Sequence, residues 1–326
     1  MYQSKLDLIE TQRAIKIVKD FFENALAKNL NLIRVSAPLF VYTKSGLNDD
    51  LNGIEKPVSF YFNHEDVSIV QSLAKWKRMA LKDYHFEVGM GLYTDMNAIR
   101  KDETVDHIHS IYVDQWDWEK VITKDDRNLN FLKSTVKQIF NALKETEKLI
   151  TTIYPSLDNY FGDEIYFISS SDLKDKFPSL TAKEREHAIC KEHKCVFIYQ
   201  IGGKLRNCDE VHDLRAPDYD DWELNGDILV YYPPLNRSVE LSSMGIRVDQ
   251  NSLLKQLKEK DALNRTSLPF HKALLNNELP LTIGGGIGQS RLCLVMLNKI
   301  HIGEVQSSLW DEKTIEECQN LNIKLL

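Results

Sequence analysis

The chain is expected to fold as an α+β protein, an antiparallel-rich sheet with helices packed against it. Residues 226–232 and 238–248 read as strands on either side of Pro233-Pro234, which is a hairpin signature. Two long segments, 12–29 and 131–150, repeat apolar residues at helical spacing. No linker, repeat or low-complexity stretch interrupts the 326 residues, so one domain over residues 1–326 is expected.

Taken in order, Ile15, Val18, Phe22, Ala25 and Leu26 share one helix face, with Thr11 as the expected cap. A short strand from Leu32 follows, interrupted by Pro38, which suits an edge or an interface. After the polar loop 45–53 come strands at 57–62 and 67–71, then a short helix from Ser72 on which Lys77 shares the apolar side with Ala74 and Leu81. His107 to Trp118 alternates as a strand. The second long helix runs through Leu132, Val136, Ile139, Leu143 and Ile150. A strand at 164–169 precedes a helix opened by a Thr181/Glu184 capping box, and Cys195–Ile201 follows as a strand.

Composition narrows the functional classes. Hydrophobic residues at 43% and charged residues at 27% are ordinary globular usage. No apolar run reaches the roughly 18 residues of a membrane span, and the N-terminus lacks a signal pattern, so a cytoplasmic protein without membrane partners is expected. A net charge of −7 does not favour polyanions, and no nucleic-acid partner is expected. Five scattered cysteines (190, 195, 208, 293 and 318) read as reduced thiols. Cys190 and Cys195 near His187 and His193 match no usual zinc spacing.

Four constellations could carry chemistry. In the strand Tyr112-Val113-Asp114-Gln115-Trp116-Asp117-Trp118-Glu119, the residues Gln115, Asp117 and Glu119 face one way, and Asp114 and the tryptophans the other. That polar face is either solvated or the floor of a pocket that holds an amino group; tryptophans beneath it favour an internal strand. Lys77 either snorkels outward or points inward to a carboxylate or phosphate. The acids of Ala216-Pro217-Asp218-Tyr219-Asp220-Asp221-Trp222 would alone suggest a solvated loop. In the strand from Glu240, strict alternation puts Glu240 and Ser242 on one side and Ser243 on the other, and a carboxylate beside a hydroxyl suits a hard cation.

Gly284-Gly285-Gly286-Ile287-Gly288-Gln289-Ser290-Arg291 follows a β-like run and precedes a helix-like one. Glycines admit a ligand close to the backbone, and Arg291 is placed to grip phosphate as a fork. The spacing is neither a P-loop nor a Rossmann turn.

Together with Ser72-Leu73-Ala74-Lys75-Trp76-Lys77-Arg78, these blocks closely resemble the ammonia-dependent asparagine synthetases (asparagine synthetase A, aspartate–ammonia ligase) over essentially the whole chain. The resemblance implies the catalytic fold of class II aminoacyl-tRNA synthetases and a homodimer. It also implies the substrates L-aspartate, ATP and ammonia, and a two-step reaction through β-aspartyl-AMP that releases pyrophosphate and then AMP. By similarity, Arg100 holds the α-phosphate and Glu240, with Asp227, holds Mg2+. Gln115 and Asp117 anchor aspartate, Asp117 through the amino group. Ser72, Lys77, Tyr219, Asp220, Ser243 and Arg291 complete the substrate and catalytic contacts, and Glu103 and Gly286 those to ATP. Asp49 is the candidate for positioning ammonia, with the adjacent Asp50 as the alternative.

Three other readings fit less well. A glutamine-dependent synthetase would need a nucleophilic cysteine near the N-terminus, yet the first is Cys190, so free ammonia is the expected nitrogen source. A tRNA ligase would need an anticodon-binding module, for which the chain leaves no room. A non-catalytic relative would have lost polar groups, and Arg100, Gln115, Asp117, Glu240 and Arg291 are all present.

Overall fold

The computed structural model describes residues 2–49 and 56–326. Helix α1 (Leu8–Leu30) leads into β1 (Leu32–Arg34), and β2 (Phe40–Tyr42), β3 (Ser59–Phe62) and β4 (Glu65–Ile69) form a small separate sheet. Then come α2 (Ala74–Asp83), β5 (Gly91–Ile99), β6 (Tyr112–Val121), α3 (Leu129–Ile153), β7 (Tyr166–Ser169), α4 (Ser170–Lys176), α5 (Ala182–His193) and β8 (Cys195–Tyr199). The hairpin β9 (Asp220–Tyr232) and β10 (Arg237–Arg247) is followed by α6 (Gln250–Glu259), α7 (Pro269–Leu275), β11 (Thr282–Gly288), α8 (Gln289–Met296) and α9 (Glu312–Leu321).

The main sheet has eight strands in the order β1-β5-β6-β11-β10-β9-β8-β7. Its inner pairs are antiparallel, and only the two edge strands, β1 and β7, pair in parallel. On one face Trp116, Trp118, Ile228, Met244 and Ile287 meet the apolar stripes of α1, α3 and α8 in the largest core cluster. On the other face, Ala80 and Leu81 of α2 cover Leu92 and Val121 at one end. Leu173 of α4 and Ile189 of α5 cover Val196 and Leu229 at the other. Between these two apolar ends, across β11 and β10, polar side chains collect on that face.

Several expectations need correction. Helix α1 begins earlier than its apolar stripe, with Asp7 rather than Thr11 accepting from the Glu10 amide. Thr11 lies inside the helix and bonds the Asp7 carbonyl at 2.6 Å instead. The β-like run extends through the glycine cluster, and β11 continues to Gly288. Strands β2 and β5 and helices α4, α6, α7 and α9 are additional to the elements that the sequence pattern predicts. Alternation in β10 also breaks. Glu240 pairs with Leu229 and Ser242 with Ile228, so a bulge intervenes and Ser243 lies opposite Asp227 and Gly286.

Candidate active site

One row of the sheet forms the floor of the site. Asp117, Gly286, Ser243 and Asp227 are consecutive cross-strand partners on β6, β11, β10 and β9. Because direct partners in antiparallel strands point to the same face, all four share the open one. Gln115 stands opposite Gly288 in an adjoining row. A β-carbon on Gly286 would lie 2.4 Å from Gln115 Oε1, so the missing side chain is what leaves that amide its place.

Lys77 rises from α2 into this floor and is fully buried. Its ammonium donates to the Asp117 carboxylate, to the Trp118 carbonyl at 3.0 Å and to the Gly285 carbonyl at 3.1 Å. Burial pulls its pKa below the usual lysine value against the attraction of Asp117. Lys77 therefore points inward, and it fixes the carboxylate that is expected to meet the substrate amino group. Asp117 also accepts from the Leu73 amide at 3.3 Å.

Behind Asp117 lies a second buried layer. Arg247 forks onto Glu119 at 2.7–3.0 Å and also pairs with Asp220. Thr282 Oγ1 donates to Glu119 at 2.7 Å. Despite burial, Arg247 brings the Glu119 pKa down. Burial wins at Asp220, whose pKa is raised. Gly284 and Gly245 make room for this layer, since a β-carbon would come within 2.1 Å of Glu119 Oε2 or 2.8 Å of Asp220 Oδ1.

A cavity of about 390 Å³ opens above the floor. Asp49, Ser72, Lys77, Arg100, Glu103, Gln115, Asp117, Tyr219, Asp220, Glu240, Ser243, Gly286 and Arg291 all line it. Asp50 lies outside the described residues. Tyr219 is held well above the usual phenol range, by burial first and then by Asp49 and Asp220. Arg291, at the start of α8, donates to the Glu240 carbonyl at 3.2 Å. Asp114 accepts from the Ser290 amide at 3.1 Å and from its hydroxyl at 2.8 Å, which fixes that helix start. Arg100 lines the cavity, and among the described residues its Nε has no hydrogen-bond partner, as expected of a group awaiting an anion.

Asp227 is the exception among the expected site residues, because it does not reach the cavity wall. Arg215, which does, is bonded to Asp227 Oδ2. Arg215 carries one signal in the sequence, its position just ahead of the Ala216–Trp222 block. Burial and the neighbouring Glu240 push Asp227 up to about 7 in spite of Arg215. Glu240 moves the other way. Burial opposes its ionisation, but Arg291, Arg215, Lys183 and Arg100 together lower its pKa.

A magnesium ion fits this donor set. Among the described residues the buried Asp227 Oδ1 has no hydrogen-bond partner, and the carboxylate of Glu240 is close enough to raise the Asp227 pKa. Among the described residues, no group of three or more His, Cys, Asp or Glu could hold a metal. Two carboxylates suit an ion that arrives with phosphate oxygens as its remaining ligands. Among the described residues, no helix is long and apolar enough to cross a membrane.

Asp218, from the acidic block, lies outside the cavity. It is fully buried and paired with Lys75, Arg265 and His271 at 3.0–3.4 Å. Asp221 is bound by Arg127 at 2.8 Å. The acidic block is thus an internal polar joint rather than a solvated loop.

Comparison with known proteins agrees with this geometry. The family profile described as aspartate-ammonia ligase matches residues 9–322. An aspartate–ammonia ligase of Clostridium perfringens is 61% identical over 328 residues, covering 100% of this chain and 97% of that protein. One from Fusobacterium nucleatum is 59% identical over 326 residues, covering 100% and 99%. Among solved structures, asparaginyl-tRNA synthetase from Pyrococcus horikoshii complexed with asparaginyl-adenylate superposes with a TM-score of 0.67 at 16% identity. That match covers 91% of this chain and 68% of that one, and it shows the class II synthetase fold. The chain therefore belongs to the aspartate–ammonia ligase family.

Proposed function

We propose that this aspartate–ammonia ligase makes asparagine by adenylating the side-chain carboxylate of L-aspartate and then exchanging AMP for ammonia. The observation that carries the reading is the polarity of one cavity. Carboxylate and amide groups gather at the Asp117 end, and arginines gather around Glu240 at the other. Such a cavity can hold an amino acid by its ammonium group while it neutralises a polyphosphate.

Asp117, held by Lys77, binds the substrate ammonium group, and Gln115 and Ser72 orient the carboxylates. Two anions must meet in the first step. Arg100 lowers that repulsion by binding the α-phosphate as negative charge builds on it, and Arg291 completes the phosphate contacts. Glu240 and Asp227 would hold magnesium, which supplies further neutralisation of the triphosphate. Glu103, Gly286 and Ser243 line the nucleotide and substrate path. In the second step, Asp49 faces the raised-pKa Tyr219 beside Asp220 and accepts the proton that ammonium must lose before it attacks. Asp220, held by Arg247, lines the cavity beside Tyr219 on that side. The working unit is a homodimer of single catalytic domains in the cytoplasm.

Labelling tests the intermediate. Aspartate carrying heavy oxygen in its side-chain carboxylate should pass one labelled atom to the phosphate of AMP. Label found only in inorganic phosphate, with ADP as co-product, would replace the adenylate by an acyl phosphate.

A further inference from the structure

Arg215 differs from two other deeply placed arginines near the site, Arg247 and Arg78. Arg247 is occupied by Glu119 and Asp220, and Arg78 by the carbonyls of Pro280 and Val248. Arg215 makes one hydrogen bond among the described residues, to Asp227 Oδ2, and has Asp213 nearby at 3.5 Å. It lines the cavity with its side chain 15% exposed, so the remaining N–H groups of its fork are available there.

Its place along the floor decides which anion it meets. From Asp117 to Asp227 the row crosses three strand spacings, about 14 Å at roughly 4.8 Å each. Aspartate anchored by its ammonium group at Asp117 covers about the first third of that length, and the α-phosphate must follow directly. Arg215 and Asp227 lie farther out, beyond the reacting carboxylate and beside Glu240.

We propose that Arg215 is a ligand for the β- and γ-phosphates of ATP, and therefore for the departing pyrophosphate. Asp227 and Asp213 hold its charge while the nucleotide is absent. This rests on the adenylation reading above. A guanidinium preset on a carboxylate can present a planar pair of donors to phosphate without first losing side-chain freedom. Its cation would stabilise pyrophosphate as the bond to the α-phosphorus breaks, with the electron pair leaving on the bridging oxygen.

The test is calorimetric binding of AMP and of pyrophosphate, separately, in EDTA, to the wild-type chain, to Arg215→Met and to Arg215→Lys. Pyrophosphate affinity should fall about 10-fold or more in Arg215→Met and less in Arg215→Lys. AMP affinity should stay within about 2-fold in both. Because Arg215→Met leaves Asp227 unpaired and could compromise folding, the double variant Arg215→Met/Asp227→Asn serves as its folded counterpart. It should show the same selective loss. Unchanged pyrophosphate binding, or equal loss of both ligands in folded variants, would overturn the assignment. Wild-type protein that binds neither ligand would instead remove the adenylation reading and this inference with it.

Discussion

The ammonium of Lys77 and the carboxylate of Asp117 form a buried ion pair in the floor of the cavity, and neither group reaches solvent appreciably. Two backbone carbonyls take the remaining protons of Lys77, so the pair is fully bonded on its cationic side. Replacing Lys77 by Met should cost about 3–5 kcal/mol, because Asp117 would remain buried and unpaired. Thermal unfolding measures this. Adding Asp117→Asn to Lys77→Met should recover much of the stability without restoring aspartate binding. Full stability in the single variant would show that the pair does not hold the floor together.

Glycines 284 and 286 should respond differently to alanine. At Gly286 the added carbon meets the movable end of Gln115, so the fold should survive while KM for aspartate rises about 10-fold. At Gly284 it meets Glu119, Arg247 and the Trp118 backbone at 2.1–2.7 Å, in a layer with no room to yield. That variant should lose about 3 kcal/mol or fail to accumulate as folded protein. Kinetics and urea unfolding separate the two outcomes, and equal behaviour would contradict the two-layer description.

Among the described residues Arg100 has no hydrogen bond at Nε, and it lines the cavity, so its removal should spare the fold. Arg100→Ala should slow AMP formation by at least about 100-fold while leaving the unfolding midpoint within experimental error. Wild-type turnover in this variant would remove the α-phosphate role.

His301, which does not itself line the cavity, supplies a pH dependence of stability. Burial, with His107 nearby, lowers its pKa from 6.5 to about 4. Its Nδ1 accepts from the Gly303 amide at 3.1 Å, which a proton on that nitrogen would forbid. The folded state thus prefers the neutral ring. This contribution to stability is complete above pH 6.5 and is lost as pH falls from 6.5 through 4. Urea midpoints across that window should decline less steeply for His301→Gln than for the wild-type chain. Parallel slopes would contradict the assignment.

The sequence made the site more legible than the sheet. Alternation placed Gln115, Asp117 and Glu119 on one face correctly, because β6 has no bulge in its pairing with either neighbour. The same rule failed at Ser242 and Ser243, since one inserted residue in β10 changes which of them faces the cavity. Strand β5 was hidden by Thr94, Asp95 and Asn97, polar residues in a strand enclosed on both edges. The β-like run before the glycines of β11 does not extend through them in the sequence pattern, because glycine is a poor strand former. Here the absent side chains leave space for Gln115 and Glu119. Arg215 escaped notice because its partner Asp227 meets it only through the fold.

The most direct measurement is of the products formed from ATP, magnesium and L-aspartate with either ammonium or glutamine as nitrogen donor. Asparagine, AMP and pyrophosphate in equal amounts, with ammonium alone, is the result predicted here. ADP and inorganic phosphate as products, or equal turnover with glutamine, would contradict adenylation in an ammonia-dependent site.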